Sequence, residues 1–325
     1  MSKRVTLQVI FKSISMRKIL CGGLLLLSAL AAQAQYSVDS SHLMDDIRTL
    51  SSDKFEGRRI GTPGSRQAQF YLLGRFKEIG LKAFNDKYER MFFYQSGTER
   101  ISGTNIYGYI PGKSDSVIII TAHYDHLGIQ KNGNNVDSIF NGADDNASGV
   151  GGLLAIAQYY SLHKPAHTLV FAAFDGEEEG LQGAHAFFAQ PPIDVKRIQL
   201  DVNMDMISRN DQQELYACGL FQNPALKPFV DEAAAKSAIH LKAGHDGSSK
   251  ELSDWTSQSD QYEFFQHKIP FMYFGVEDHP DYHKVSDEFK NIQPSFYYQA
   301  VNTILVFTDA ADKTLPTKHI DRRIM

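Results

Sequence analysis

Cysteine is almost missing from these 325 residues, with only Cys21 and Cys218. That excludes a structural zinc site built on four thiolates and a fold stapled by several disulfides. Tryptophan occurs once, as Trp255. No apolar run reaches the roughly 20 residues a membrane-spanning helix needs; the longest, residues 19–32, stops short. No stretch beyond the N-terminus is dense in Lys and Arg, and the formal net charge is −5, so nucleic acid is not an expected partner. A Gly-x-Ser-x-Gly nucleophile elbow is absent, as is a Gly-x-x-x-x-Gly-Lys phosphate loop. There is no internal repeat and no low-complexity segment. What remains is an ordinary globular balance, 42% hydrophobic and 22% charged, at a length one α/β domain can hold.

The N-terminus reads as an export signal. Arg17 and Lys18 precede the apolar run, and Ala32-Gln33-Ala34 places small residues where a signal peptidase cuts. We expect residues 1–34 to be a signal peptide, with Met16 as an alternative start, and residues 36–325 to be one domain. The mature chain is then periplasmic or extracellular, with no stable membrane anchor. Cleavage removes five basic residues and no acid, taking the charge to about −10, and it removes Cys21. Cys218 then has no intramolecular partner. It lies in an apolar segment and reads as a structural thiol.

Along the rest of the chain, helical spacing of Leu43, Met44, Ile47 and Leu50 marks a helix over residues 41–51. A Gly-rich loop at residues 56–64 leads to a helix carrying Phe70, Leu72, Leu73 and Phe76, for which Ser65 is the expected cap; it stops near Gly80. Strands are expected at residues 104–110, 116–121, 167–174, 198–204 and 270–275. Several are continuous β-branched runs, the pattern of strands covered on both faces. Helices are expected at residues 147–162, 183–189, 224–238, 260–266 and 294–311. This alternation predicts an α/β three-layer sandwich with a central mixed, mostly parallel sheet, whose active site gathers at strand ends.

Five polar clusters lie at those ends. His123-Tyr124-Asp125-His126 follows the Ile-rich strand. Alternation puts His123 and Asp125 on one side, and a carboxylate beside an imidazole is how a ligating His is oriented. Asp144-Asp145-Asn146, in a Gly/Asn context before an apolar helix, reads either as a helix cap or as a metal-bridging carboxylate. Glu177-Glu178-Glu179 follows another buried strand. It is either a solvated acidic turn or a metal ligand beside a general base. Asp205 stands between Met204 and Met206, a poor choice for packing unless the carboxylate has a partner. Asp281-Tyr282-His283 follows the last strand. His126 and His279 lie near these ends as well, so position alone does not single out His123 and His283. Together the clusters supply the N and O donors that zinc takes, and two ions sharing one carboxylate would clamp an attacking water and a scissile carbonyl.

Taken in order, His123-Tyr124-Asp125, residues 142–149, residues 176–181, Asn203-Met204-Asp205-Met206 and Tyr282-His283 resemble the co-catalytic zinc aminopeptidases, a family that also holds glutamate carboxypeptidase and, distantly, glutaminyl cyclases. Gly57-Arg58 with Gly61-Thr62 and Gly64 resembles the start of the family domain. The similarity covers roughly residues 41–311. It implies two Zn2+ ions bridged by Asp145, one completed by His123 and Asp205, the other by Glu178 and His283. It further implies Glu177 as general base, Asp125 as the group orienting His123, and a cis peptide between Asp145 and Asn146. Asp144 and Glu179 match no ligand position.

The implied activity is removal of N-terminal residues from a peptide substrate. Alternatives within the same resemblance are a glutaminyl-peptide cyclotransferase using one zinc, and a carboxypeptidase or dipeptidase. Cyclases usually carry a longer, Trp-bearing loop after the Glu-Glu pair, which residues 177–183 lack. A binding module that has lost its metals is a further rival, against which the full ligand set stands. Ser259-Asp260-Gln261 departs from the family's Ser-Asp-His segment at Gln261. Residues 94–103 are too few for the protease-associated domain that many relatives insert.

Overall fold

Thr62 and Asp39 show how local chemistry starts the first two helices. The computed structural model describes residues 37–130, 137–250 and 252–317; the expected signal peptide, with Cys21, lies outside the described residues. Asp39 accepts hydrogen bonds from the Ser41 and His42 amides and opens α1 (Ser40–Leu50). Thr62, not Ser65, caps α2 (Pro63–Ile79), because Pro63 is preset for the first helical position and the Thr62 hydroxyl accepts from the Ser65 amide. Gly80 ends α2 at φ +82°.

The strands are β1 (Glu89–Ser96), β2 (Glu99–Ile110), β3 (Val117–His123), β4 (Gly128–Ile129), β5 (Ile139–Phe140), β6 (Thr168–Phe174), β7 (Ile198–Met204), β8 (Glu214–Cys218), β9 (His240–Ala243) and β10 (Phe271–Gly275). The remaining helices are α3 (Gly149–Leu162), α4 (Gln182–Ala189), α5 (Lys227–Lys236), α6 (Gln261–Gln266) and α7 (Pro294–Thr314). Eight strands form one mixed sheet in the order β1-β2-β6-β3-β7-β10-β8-β9, and β4 pairs with β5 apart from it. The centre is parallel: β6, β3, β7 and β10 run the same way. Antiparallel β1-β2 closes one side, and residues 94–103 fall within this hairpin, where Tyr94 faces Ile101.

Helices cover both faces, which is why the central strands read as unbroken apolar runs. α3 packs on β3 and β7, with α1, α2 and α7 behind it. α4 and α6 cover the other face. Alternation along β3 splits its side chains accordingly. Val117 and Ile119 join Val170, Phe174, Phe187 and Phe264 in the cluster beneath α4 and α6, while Ile118 and Ile120 are buried away from that cluster. Aromatic edges fill the cluster: Tyr107, Phe174 and Phe187 meet in T-shaped pairs. No helix among the described residues is long and apolar enough to cross a membrane. The α/β sandwich expected from the sequence is the architecture observed.

Candidate metal centre

The parallel strands β6, β3, β7 and β10 are neighbours, so their C-terminal tips open on one place. His123 is the last residue of β3, and Asp205 follows β7. Residues 175–178 turn off β6, and the segment after β10 brings in His283. Asp145 arrives from the turn before α3, across a cis Asp145–Asn146 peptide, as the resemblance implied.

The distances divide these side chains into two groups. His123 Nε2 lies 3.5 Å from Asp145 Oδ1 and 3.3 Å from Asp205 Oδ1. His283 Nε2 lies 3.1 Å from Asp145 Oδ2 and 3.3 Å from Glu178 Oε2. Two ligands bound about 2.0–2.2 Å from one tetrahedral ion stand roughly 3.3–3.5 Å apart. Both groups have about that spacing, and Asp145 contributes one oxygen to each. Asp205 Oδ1 is buried without a hydrogen-bond partner among the described residues, an oxygen that a cation would satisfy. The donor set and its spacing therefore fit a pair of divalent ions. His123, Asp145 and Asp205 form one such cluster, and Asp145 and Glu178 form another with His126.

His126 is the residue the sequence left unresolved. Its Nδ1 stands 2.7 Å from Glu178 Oε1 and 3.6 Å from Asp145 Oδ2. His279, equally undecided from position, bonds instead to Asp144 Oδ2 through Nε2 at 3.0 Å. Asp144 also accepts from the Ser208 amide and hydroxyl, at 2.6 and 2.7 Å, so it pins the chain after β7 and takes no part in either ligand group. Glu179 pairs with Arg59 at the surface.

Asp125 does something the sequence reading did not foresee. Its Oδ1 stands 3.6 Å from His123 Nδ1, and its backbone carbonyl lies 3.3 Å from the same nitrogen. Its two carboxylate oxygens also accept from the Glu177 and Glu178 amides, at 3.0 and 3.3 Å. The carboxylate thus sets the backbone that presents both glutamates. Asp287 does the same for Asp145, accepting from the Asp144 and Asp145 amides. Asn146 bonds the Met204 carbonyl and the Gly149 amide, tying the Asp145 turn to β7 and α3. Gln261, the departure from the Ser-Asp-His segment of the resemblance, is buried; it accepts from Asn203 and donates to the Trp255 carbonyl, which ties β7 to the Trp255 segment.

Arg58 lies inside this carboxylate-rich region, essentially unexposed. It donates to four backbone carbonyls: Tyr124, Leu50, Asn141 and Gly142. Burial pulls its pKa down to about 10, with Asp145, Asp287 and Asp125 resisting, so it remains a cation at neutral pH. The segments that carry Asp125 and Asp145 are thus held by one guanidinium.

Crowded acids raise one another. Burial pushes the Glu177 carboxyl well above its usual range; the His123 charge opposes this and Asp205 adds to it. Burial, then Glu178, raises Asp145. Burial alone would raise Glu178 too, but the neighbouring His126 and His283 imidazoles outweigh it and hold that carboxyl low. Burial disfavours a charged His283, yet Asp145 and Glu178 push its pKa up to about 10. Such a site needs positive charge, and bound cations supply it most effectively. Beside the acids, Met206, Trp255, Tyr273, Val276 and Tyr282 wall a pocket, with Gln258 and Asp278 completing its lining.

Comparison with known proteins gives the fold and the family. A probable leucine aminopeptidase of Arthroderma otae is 29% identical over 175 residues, covering 52% of this chain and 46% of the relative. The chain spans about half the length of the curated relatives it matches. A zinc aminopeptidase from Bacillus subtilis shares the fold at a TM-score of 0.67 and 16% identity, over 89% of this chain and 100% of that one. Glutaminyl cyclase from Porphyromonas gingivalis does so at 0.69 and 16%, over 85% and 99%. The model of Peptidase family M28 matches residues 105–308, which run from within β2 through most of α7 and include every residue of both ligand groups, so the chain belongs to Peptidase family M28.

Proposed function

We propose that this chain is a two-zinc aminopeptidase, with Asp145 shared between the ions, His123 and Asp205 completing one site, and Glu178 and His283 the other. The observation that carries the reading is the division of the Asp145 carboxylate: Oδ1 faces His123 at 3.5 Å and Oδ2 faces His283 at 3.1 Å. Bound divalent ions supply Lewis acidity for a scissile carbonyl. Glu177 lines the same pocket and takes a proton from the attacking water. As the carbonyl C–O bond forms and the C–N bond breaks, Glu177 returns that proton to the leaving amine. Asp125 keeps Glu177 in place through its amide. The substrate is a peptide with a free N-terminus, whose amine the acidic pocket favours. Export, read from residues 17–34, belongs to the same proposal.

The turn after β6 supports an aminopeptidase over a cyclase. The Leu181 amide donates back to the Glu177 carbonyl and that of Gln182 to Gly176, so the chain enters α4 directly. No Trp-bearing loop intervenes; the only Trp, Trp255, lies elsewhere in the pocket wall.

The test is a panel of amino-acid anilides and N-terminal Gln peptides, with blocked peptides beside them. Anilide hydrolysis that chelator abolishes and zinc restores is expected, together with inertness toward N-acetylated peptides. Cyclisation of N-terminal Gln without anilide release would overturn the reading in favour of a cyclase. Release of C-terminal residues from blocked peptides would overturn it in favour of a carboxypeptidase.

A further inference from the structure

Glu178 is approached by two histidines through different oxygens, and the two approaches differ in kind. His283 Nε2 stands 3.3 Å from Oε2 and also 3.1 Å from Asp145 Oδ2, close to the spacing of co-ligands on one ion. His126 Nδ1 stands 2.7 Å from Oε1. That is direct hydrogen-bond contact, too short for both atoms to bind the same ion. An ionised carboxylate only accepts, so Nδ1 carries the hydrogen and has no lone pair left for a metal.

From this we infer that His126 is a positioning residue of the second metal site: its Nδ1–H holds Glu178 Oε1 so that Oε2 alone faces the ion. The inference rests on the two-metal reading above. The ring's other nitrogen, Nε2, is buried without a hydrogen-bond partner among the described residues, so the Nδ1 contact is what fixes the ring. The imidazole is fully buried, and its only hydrogen bond among the described residues is the one to Glu178. It packs on Gly142, which has φ +56°, and a Cβ there would come within 2.6 Å of the ring carbons. The glycine is therefore required for the imidazole to reach Glu178. A carboxylate tied down by one oxygen cannot chelate with both, and this leaves coordination room for water and substrate. The first site has no such tether, since His123, Asp145 and Asp205 converge without His126.

Two substitutions in the full chain test this. His126→Asn keeps an N–H at about the place of Nδ1, while His126→Leu fills the volume without a donor. Zinc per chain is measured by elemental analysis across a graded chelator series, with affinities from competition and folding from far-UV circular dichroism. Wild type should hold two ions. His126→Leu should weaken one of them about 10- to 100-fold and leave the other unchanged, and His126→Asn should stay within a few-fold of wild type. Unchanged affinity in His126→Leu would overturn the positioning role. Equal losses in both variants would overturn it in favour of direct ligation by His126. If the Leu variant fails to fold, His126→Ala takes its place under the same criteria. A wild type that binds fewer than two ions at saturating zinc would refute the reading beneath, and the inference with it.

Discussion

Glu177 and Glu178 are consecutive, yet their surroundings push them apart. The imidazoles of His126 and His283 beside it hold the Glu178 carboxyl low, while burial pushes Glu177 well above its usual range. A carboxylate with raised proton affinity is suited to act as a base once cations offset the neighbouring acids. Glu177→Gln should therefore keep its full zinc content and lose turnover by about 10²- to 10⁴-fold, measured as kcat on an anilide substrate. Near-normal kcat would remove Glu177 from the chemistry. At this scale residue type and position showed which groups gather, while the choice of His123 and His283 as ligands came only from the family resemblance and no role was given to His126 or His279. His123, His126, His279 and His283 all sit near strand ends, and only distances of 3.3, 2.7, 3.0 and 3.1 Å to particular carboxylates separate their roles. The adjacent Asp144 and Asp145 are likewise alike in type and position, and only the resemblance separated them. Contacts to Ser208 and His279, more than 60 residues away, commit Asp144 to structure.

Helix α3 starts hard against the end of β7, and this approach aligns Asp145 with Asp205. Gly149 makes it possible: a Cβ there would stand 2.4 Å from both the Met204 carbonyl oxygen and Asn146 Oδ1. Gly149→Ala must push the helix off the strand. We expect a loss of about 1–3 kcal/mol in chemical unfolding, together with weaker zinc retention; an unperturbed zinc content would show that the two elements can separate without disturbing the site. The central strands and long helices were legible because their apolar runs and 3.6-residue spacing reflect burial directly. β1 and β9 were not. In Glu89–Ser96 half-buried residues alternate with exposed ones such as Met91 and Phe93. His240–Ala243 is four residues at the far edge. Edge strands owe their structure to pairing with a neighbour, which no local pattern records.

Across the whole molecule, the ligand groups join the tips of β3, β6 and β7 to the segments before α3 and after β10, regions far apart in sequence. Ions that bind only the folded form stabilise it by mass action, by about 4 kcal/mol when present at 1,000 times Kd. For a domain of this size each kcal/mol moves Tm by about 2–4 °C. Chelation should lower Tm by on the order of 10 °C, and zinc should restore it, as followed by differential scanning fluorimetry. An unchanged Tm would mean that the ions are bound weakly or elsewhere.

The buried Arg58 gives that experiment a second meaning. Its charge is covalently attached, so the acidic pocket owns one permanent counterion that no chelator can strip. The emptied protein should thus persist as an assembled receptacle, its ligands already gathered, and refilling should be a rapid loading event instead of a second round of folding.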